Sequence, residues 1–278
     1  MTSSKPPFSL RFWGVRGSLP IPDPEMAVYG GNTACVEVKC GDDIVILDGG
    51  SGLLPFGRSL VDSTQDEFNL LLTHSHADHL SGLTFFAPLF KNSATLRIWA
   101  GHINGETVKS HVDKMISPPL FPVTTEVFPG KIDYRGFKAG ETISLDNKDI
   151  KVSTCRLNHP GEATGYRIDF HGRSICYITD TEHVPGEVDQ TIADLVKGSD
   201  VVIYDSCFTE QEFAERKGWG HSTWIAGVEL CKAAGVKRLL AFHHEINRTD
   251  KQLLLMDQLL DAEMPGSVFA REGMTIDL

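Results

Sequence analysis

The chain carries no excess of positive charge: 26 Lys and Arg stand against 37 Asp and Glu, a formal net charge of −11. Proteins built to hold a phosphate backbone normally show a basic footprint, so nucleic acid is not the expected partner. Long apolar runs are missing too, and nothing approaches the roughly 20 residues that a membrane-spanning helix needs. The opening stretch MTSSKPPFSLRFWGVRG has no apolar h-region and no cleavage-like site, so no secretory leader is expected. Cysteine is sparse and scattered (Cys35, Cys40, Cys155, Cys176, Cys207, Cys231) with no C-x-x-C pair. That excludes a cysteine zinc site and argues for reduced, partly buried thiols instead of a disulfide scaffold. Repeats, low-complexity tracts and linker-like segments are absent as well. The expectation is a cytoplasmic, enzyme-sized protein, and one domain over residues 1–278.

What is present is a recurrent strand signal. Short runs rich in Val, Ile and aromatics, bounded by Gly, Asp or Asn, occur at 10–14, 34–40, 43–48, 69–73 and 95–100. They recur at 150–157, 165–170, 174–179, 200–205 and 237–242. Helices are expected at 222–234, between a Ser/Thr start and Gly235, and at 250–262 after Thr249. Residues 114–140, with several Pro and Gly and little periodicity, read as an extended insertion near a site. Each half opens with strands and inserts helices later, which predicts an α/β sandwich of two packed sheets with helices outside.

Eleven histidines are distributed unevenly. His102 and His111, in polar surroundings, read as solvated surface, and His171 and His183 look similarly unremarkable. By contrast, LLTHSHADHLSGL (71–83) places His74, His76, Asp78 and His79 within six positions. Alternate positions in an extended segment point to one side, so His74 and His76 can reach one ion. Asp78 and His79 begin the next helix and can serve a second. Partners exist far away in the chain: His159, Asp180 and His243 each follow an apolar strand, where open α/β folds place their sites. Together these are the mixed His/Asp donors that suit a divalent first-row metal.

The pattern H-x-H-x-D-H at 74–79 with His159, Asp180 and His243 resembles the metallo-β-lactamase fold superfamily. NHPGEATGYRI (158–168), YITDTEH (177–183), IYDSCF (203–208), GHSTW (220–224) and LLAFHH (239–244) are similar to its ribonuclease Z and phosphodiesterase branch. RFWGVRGSLP (11–20) and YGGNTACVEV (29–38) look like the small-substrate hydrolases of that branch, cyclic phosphodiesterases among them. The resemblance implies an αββα four-layer sandwich of two mixed β-sheets flanked by helices. It implies one metal on His74, His76 and His159, a second on Asp78, His79 and His243, and Asp180 bridging them. His221 of HST would assist the leaving group, with Asp205 as its orienter, so Asp78, His221 and Asp205 form the expected catalytic set. Asp205 stands where ribonuclease Z-like members carry Glu, one methylene longer.

Two such ions, ~3.5–4 Å apart, can hold a hydroxide and polarise a phosphoryl oxygen, and His221 could protonate the departing alkoxide. Zinc is the default metal, with manganese or iron also compatible. Asp48 is expected to support the metal loop or simply to shape a turn. Arg16, Asn32 and Thr33, in Gly-rich loops, are candidate phosphate contacts, as is Arg248. His244 is either a substrate contact or structural, since it should face away from the metal side that His243 occupies. The expected function is metal-dependent cleavage of a small phosphodiester, cyclic ones included. The alternatives are a transfer-RNA 3′-processing nuclease, a lactone or carboxylic ester hydrolase, and a metal-stabilised sensor without turnover. The transfer-RNA reading lacks a basic, Gly/Pro-rich RNA-gripping arm in this sequence. Members of the branch are commonly homodimers.

Overall fold

Two seven-stranded mixed sheets face each other in a computed structural model that describes residues 6–102 and 105–278. Residues 1–5, part of the opening stretch read for a leader, and 103–104 lie outside the described residues. The first sheet takes β1 (Phe8–Gly14), β2 (Cys35–Cys40), β3 (Asp43–Leu47), β4 (Glu67–Leu72), β5 (Thr95–Ala100) and β6 (Lys131–Gly136), with β14 (Thr275–Asp277) beside β1. The second runs in the order β13 (Val268–Phe269), β12 (Leu239–Phe242), β11 (Val201–Asp205), β10 (Arg173–Ile178), β9 (Ala163–Phe170), β8 (Ile150–Leu157), β7 (Thr142–Ser144).

Both sheets change character at an interior strand. β14, β1, β2 and β3 pair antiparallel, whereas β3 through β6 run parallel. In the second sheet β7 through β10 pair antiparallel and β10 through β13 run parallel. Parallel strands need crossovers, and these supply the helices: α1 (Leu53–Ser59), α2 (Ala77–Leu80) and α3 (Val108–Met115) in the first half. The second half has α4 (Gln190–Val196), α5 (Glu210–Glu215), α6 (Trp224–Ala234) and α7 (Asp250–Glu263).

Side chains alternate across the strands, and both faces are apolar because both are covered. Val45, Leu47 and Leu71 point into the core between the sheets with Ile175, Tyr177, Ile203 and Phe242. Their neighbours Ile44, Ile46, Leu70 and Leu72 pack outward under Leu53 and Phe56 of α1. Across the molecule Cys176, Val202, Leu239 and Ala241 pack outward beneath Ile192, Val228 and Leu253 of the helices. Each such fully buried aliphatic or Phe side chain contributes about 1.5–3 kcal/mol. The result is the four-layer αββα arrangement.

The two expected helices form with the anticipated ends. Thr223 Oγ1 accepts from Ala226 N, and Gly235 closes α6 in the left-handed region at φ 68°. Thr249 and Gln252 form a reciprocal capping box at the start of α7. All six cysteines are free and buried. Residues 114–140 depart from the expected irregular insertion, since they contain β6 on the edge of the first sheet. Its side chains are half-buried or exposed throughout, so the run shows little apolar alternation. Among the described residues no helix is long and apolar enough to cross a membrane.

Candidate metal centre

The strand ends that carry ligand-type residues converge at one edge of the sandwich. His74 follows β4, His159 follows β8, Asp180 follows β10 and His243 follows β12. His76 caps α2 and Asp78 and His79 lie in its first turn. Gly17 passes so close to His243 that a Cβ there would lie 2.3 Å from its ring, so the loop tolerates no side chain at that point.

Two donor groups emerge from these positions. His74, His76 and His159 form one, Asp78, His79 and His243 another, with the donor atoms of each within 4.8 Å of one another. His76 Nδ1 lies 2.9 Å from His74 Nε2 and 3.2 Å from His159 Nε2. His79 Nε2 is 3.3 Å from oxygens of both Asp78 and Asp180, and His243 Nε2 is 3.4 Å from both carboxylates. Asp180 also lies 3.8 Å from His74 Nε2 and 3.9 Å from His159 Nε2, so its two oxygens face both groups. Nitrogen and oxygen ligands sit about 2.0–2.2 Å from zinc, so tetrahedral neighbours are roughly 3.3–3.6 Å apart. The observed spacings bracket that value.

The hydrogen bonds behind the rings decide which nitrogen keeps its lone pair. Thr73 donates its hydroxyl to Asp48 Oδ2 at 2.9 Å, which leaves its oxygen to accept from His74 Nδ1 at 3.0 Å. His159 Nδ1 donates to the Gly220 carbonyl at 2.8 Å, and His79 Nδ1 donates to Asp48 Oδ2 at 2.8 Å. All three Nε2 atoms therefore turn lone pairs inward, as imidazoles that ligate metals do. The inward lone pairs of these rings would be satisfied by a cation, and the buried His79 Nε2 has no hydrogen-bond partner of its own.

The electrostatics agree. Burial pushes His79 down, but the Asp180, Asp78 and Asp48 carboxylates override it and raise its pKa well above the imidazole range. A positive charge is favoured there, whether a proton or a metal ion brings it. For Asp180 burial works upward, yet the His243, His79 and His74 rings hold its pKa well below the usual carboxylate range. His74, His76 and His159 are pushed down, chiefly by burial, which keeps them neutral and able to bind metal.

Asp48 sits beneath this arrangement, fully buried at the end of β3. It accepts from Thr73 N at 2.7 Å, Thr73 Oγ1, His79 Nδ1, and the Tyr177 hydroxyl at 3.0 Å. His221 stands on the other flank, its ring stacked on His243 with centroids 4.8 Å apart. Its Nδ1 donates to Asp205 Oδ2 at 2.9 Å, so the shorter Asp arm does reach. Burial lowers the His221 pKa, but the charge and hydrogen bond of Asp205 outweigh it and lift the value to about 9.

The candidate substrate contacts are placed differently. Arg16 is wholly buried and donates to the carbonyls of Gly30, Glu245 and Arg248, tying three loops together. Asn32 donates through N and Nδ2 to Glu272, and Thr33 exchanges hydrogen bonds with Ser51. Arg248 pairs with Glu212. His244 donates its Nε2 proton to the Ala270 carbonyl at 2.8 Å and is pushed down to about 3 by burial. These five residues are tied to neighbouring loops, while Arg16 Nη2 and His244 Nδ1 are buried without a hydrogen-bond partner. His102 and His111 are not solvated surface. His102 is 4% exposed behind His74, and His111 Nδ1 bonds Ser75 Oγ at 2.8 Å. His183 is engaged too, bonded to Ser222 Oγ and stacked on Phe213, whereas His171 is half-exposed in its turn. Thr73 and Tyr177 were not anticipated. A hydroxyl next to a candidate metal-binding histidine was the one sequence signal that could have pointed to Thr73.

The beta-lactamase superfamily domain matches residues 58–244, about two thirds of the chain. The chain belongs to that superfamily. A ribonuclease Z of Porphyromonas gingivalis (strain ATCC 33277) is 23% identical to it, over 85% of this chain and 90% of that one. The metallo-beta-lactamase fold protein YhfI from Bacillus subtilis superposes with a TM-score of 0.74 at 17% identity, over 99% of this chain and 100% of its own. A diphosphatase of the PhnP family superposes at 0.70, also 17% identical, over 98% of each chain. At these identities the structural likenesses establish a shared metallo-β-lactamase fold.

Proposed function

We propose that this superfamily member is a binuclear metal-dependent phosphodiesterase acting on small phosphodiesters, cyclic ones included. The observation that carries the reading is His221: an imidazole held by Asp205, stacked on His243, and 3.8 Å from Asp180. A proton donor beside a cation nest is what expulsion of an alkoxide from phosphorus requires, an effect typically worth ~10²–10⁴-fold. Carboxylic ester and lactone cleavage also expels an alkoxide; what favours phosphorus is the likeness to relatives named ribonuclease Z.

His74, His76 and His159 would hold one divalent cation and Asp78, His79 and His243 the other, with Asp180 facing both. Bound there, the pair would supply a nucleophile from water at neutral pH and polarise a phosphoryl oxygen. Zinc is the first choice for such nitrogen and oxygen donors, with manganese and iron as alternatives. The chain's own residues do the remainder. Asp48 fixes the His79 ring, Thr73 and Gly220 fix His74 and His159, and Asp205 keeps the Nδ1 proton of His221 in place. His221 then gives a proton from Nε2 to the leaving oxygen. The chain is taken to act as one hydrolase unit, as a cytoplasmic homodimer.

The test is hydrolysis of bis(p-nitrophenyl) phosphate against a lactone and a carboxylic ester, with metal content read on the same samples. Phosphodiester turnover that needs metal supports the proposal. Turnover of the lactone or ester alone sinks it, and bound metal without any turnover favours a sensor. A second reading, transfer-RNA 3′ processing, is favoured by relatives that carry the name ribonuclease Z over nearly their whole length. Cleavage of a precursor transfer RNA at rates above those on small diesters would establish it. The net charge of −11 weighs against that outcome.

A further inference from the structure

The loop that carries His221 reads KGWGHS (217–222), with Gly218 and Gly220 both in the left-handed region at φ 85° and 82°. Such a segment is intrinsically loose, yet it has two duties at the site. It must present His221 to Asp205, and its Gly220 carbonyl must accept from His159 Nδ1 at 2.8 Å. Side chains cannot stiffen it at Gly220, where a Cβ would lie 2.2 Å from His159 Nδ1. Something else has to hold the loop.

Glu182 does. Its carboxylate accepts from Gly220 N at 2.8 Å, and from Gly218 N at 2.8 and 3.0 Å through its two oxygens. Its own backbone is locked to the loop after β8: Glu182 N donates to Asn158 O, and Asn158 Nδ2 returns a bond to Glu182 O, each at 2.8 Å. Glu182 lies two residues beyond Asp180 and Asn158 one before His159. No lysine or arginine among the described residues forms an ion pair with it, so the carboxylate is committed to these amides. Hydrogen bonds from N–H to an ionised acceptor are roughly twice as strong as neutral ones.

We infer that Glu182 is a positioning residue for the proposed reaction. Through Gly218 and Gly220 it sets the placement of the proton donor His221, and through the Gly220 carbonyl it sets the ring of His159. It acts through other groups and does not touch the reacting atoms. The inference rests on the phosphodiesterase reading for its kinetic consequence but not for its structural one, and two measurements keep them apart.

The first is NMR on Glu182→Ala and Glu182→Gln at saturating metal. Gln keeps an oxygen able to accept from both glycine amides, so it is the conservative variant. In Glu182→Ala the Gly218 and Gly220 amides exchange at least about tenfold faster, and the His221 Nδ1–H signal, bonded to Asp205, broadens away; Gln restores both. The second is a leaving-group comparison. Protonation by His221 matters for an alkoxide and little for p-nitrophenolate. The Ala variant therefore loses about 10–10²-fold on a cyclic nucleotide, the range expected for an outer-sphere partner. Its loss on bis(p-nitrophenyl) phosphate is smaller by tenfold or more. An unchanged His221 signal with unchanged amide exchange overturns the inference, as does an equal loss on both leaving groups. A wild type that cleaves no phosphodiester defeats the functional reading instead, and the NMR result then decides on Glu182 alone.

Discussion

In the first sheet β3 ends at Leu47 and gives way to Asp48; in the second β10 ends at Ile178 and, one residue on, gives way to Asp180. Both aspartates stand where antiparallel pairing changes to parallel, both are fully buried, and both adopt the left-handed region, at φ 60° and 57°. Their surroundings differ. Asp48 is encircled by donors from Thr73, His79 and Tyr177, whereas Asp180 takes one hydroxyl, from Thr179, and otherwise faces imidazole nitrogens. The same backbone device thus yields a carboxylate ringed by donors in one half and the proposed ligand in the other. What decides the role of a buried carboxylate is whether its neighbours bring protons or lone pairs.

That contrast can be broken by substitution. Asp180→Asn should have the largest effect: one cation lost per chain by elemental analysis and diester turnover near background. Should Asp180→Asn keep both cations, the ligand role fails. Next comes His221→Ala, which should retain both cations and lose about 10²–10⁴-fold on an alkoxide leaving group. In the same experiment Asp205→Asn removes what lifts His221 to about 9. The protonated acid is depleted as pH rises through its pKa, so the alkaline limb of the rate profile should move to lower pH. A limb that stays in place in Asp205→Asn would detach it from His221. Asp48→Asn should be milder than Asp180→Asn, weakening cation affinity by about 10–100-fold while both sites fill at high metal. If titration calorimetry shows it as damaging as Asp180→Asn, the two aspartates do not differ as described. The smallest kinetic effect belongs to Arg16→Met, whose KM should change less than about twofold. Its three bonds to loop carbonyls, two of them fully buried, make it costly in stability instead, by about 3 kcal/mol or more in urea unfolding.

The clustering of candidate ligands on one loop was legible because His74, His76, Asp78 and His79 crowd within six positions, a density that surface chemistry does not explain. His159, Asp180 and His243 were legible for another reason: each follows an apolar run, and strand ends are where such folds place sites. Loops were harder. Arg16, Asn32 and Thr33 lie in Gly-rich segments that look alike whether they approach a phosphate or another loop, and here they approach other loops. His102 and His111 read as surface because their burial depends on α3 and on the loop carrying Ser75, which no periodicity announces. β6 escaped because a half-exposed edge strand has no apolar face to alternate. Glu182 was invisible for the plainest reason: its partners, Gly218 and Gly220, are bare amides some 36 to 38 residues away.

The pairing of β14 with β1 orders events during synthesis. Ser9 lies opposite Asp277 and Arg11 opposite Thr275, so the outer edge of β1 is closed only by a strand far downstream of it. At roughly 5–20 residues per second, a ribosome leaves that edge open for on the order of ten seconds or more. Through that interval β1 offers unpaired backbone to any passing chain, and the exposed charge of Arg11 is the feature that discourages a stranger from accepting it.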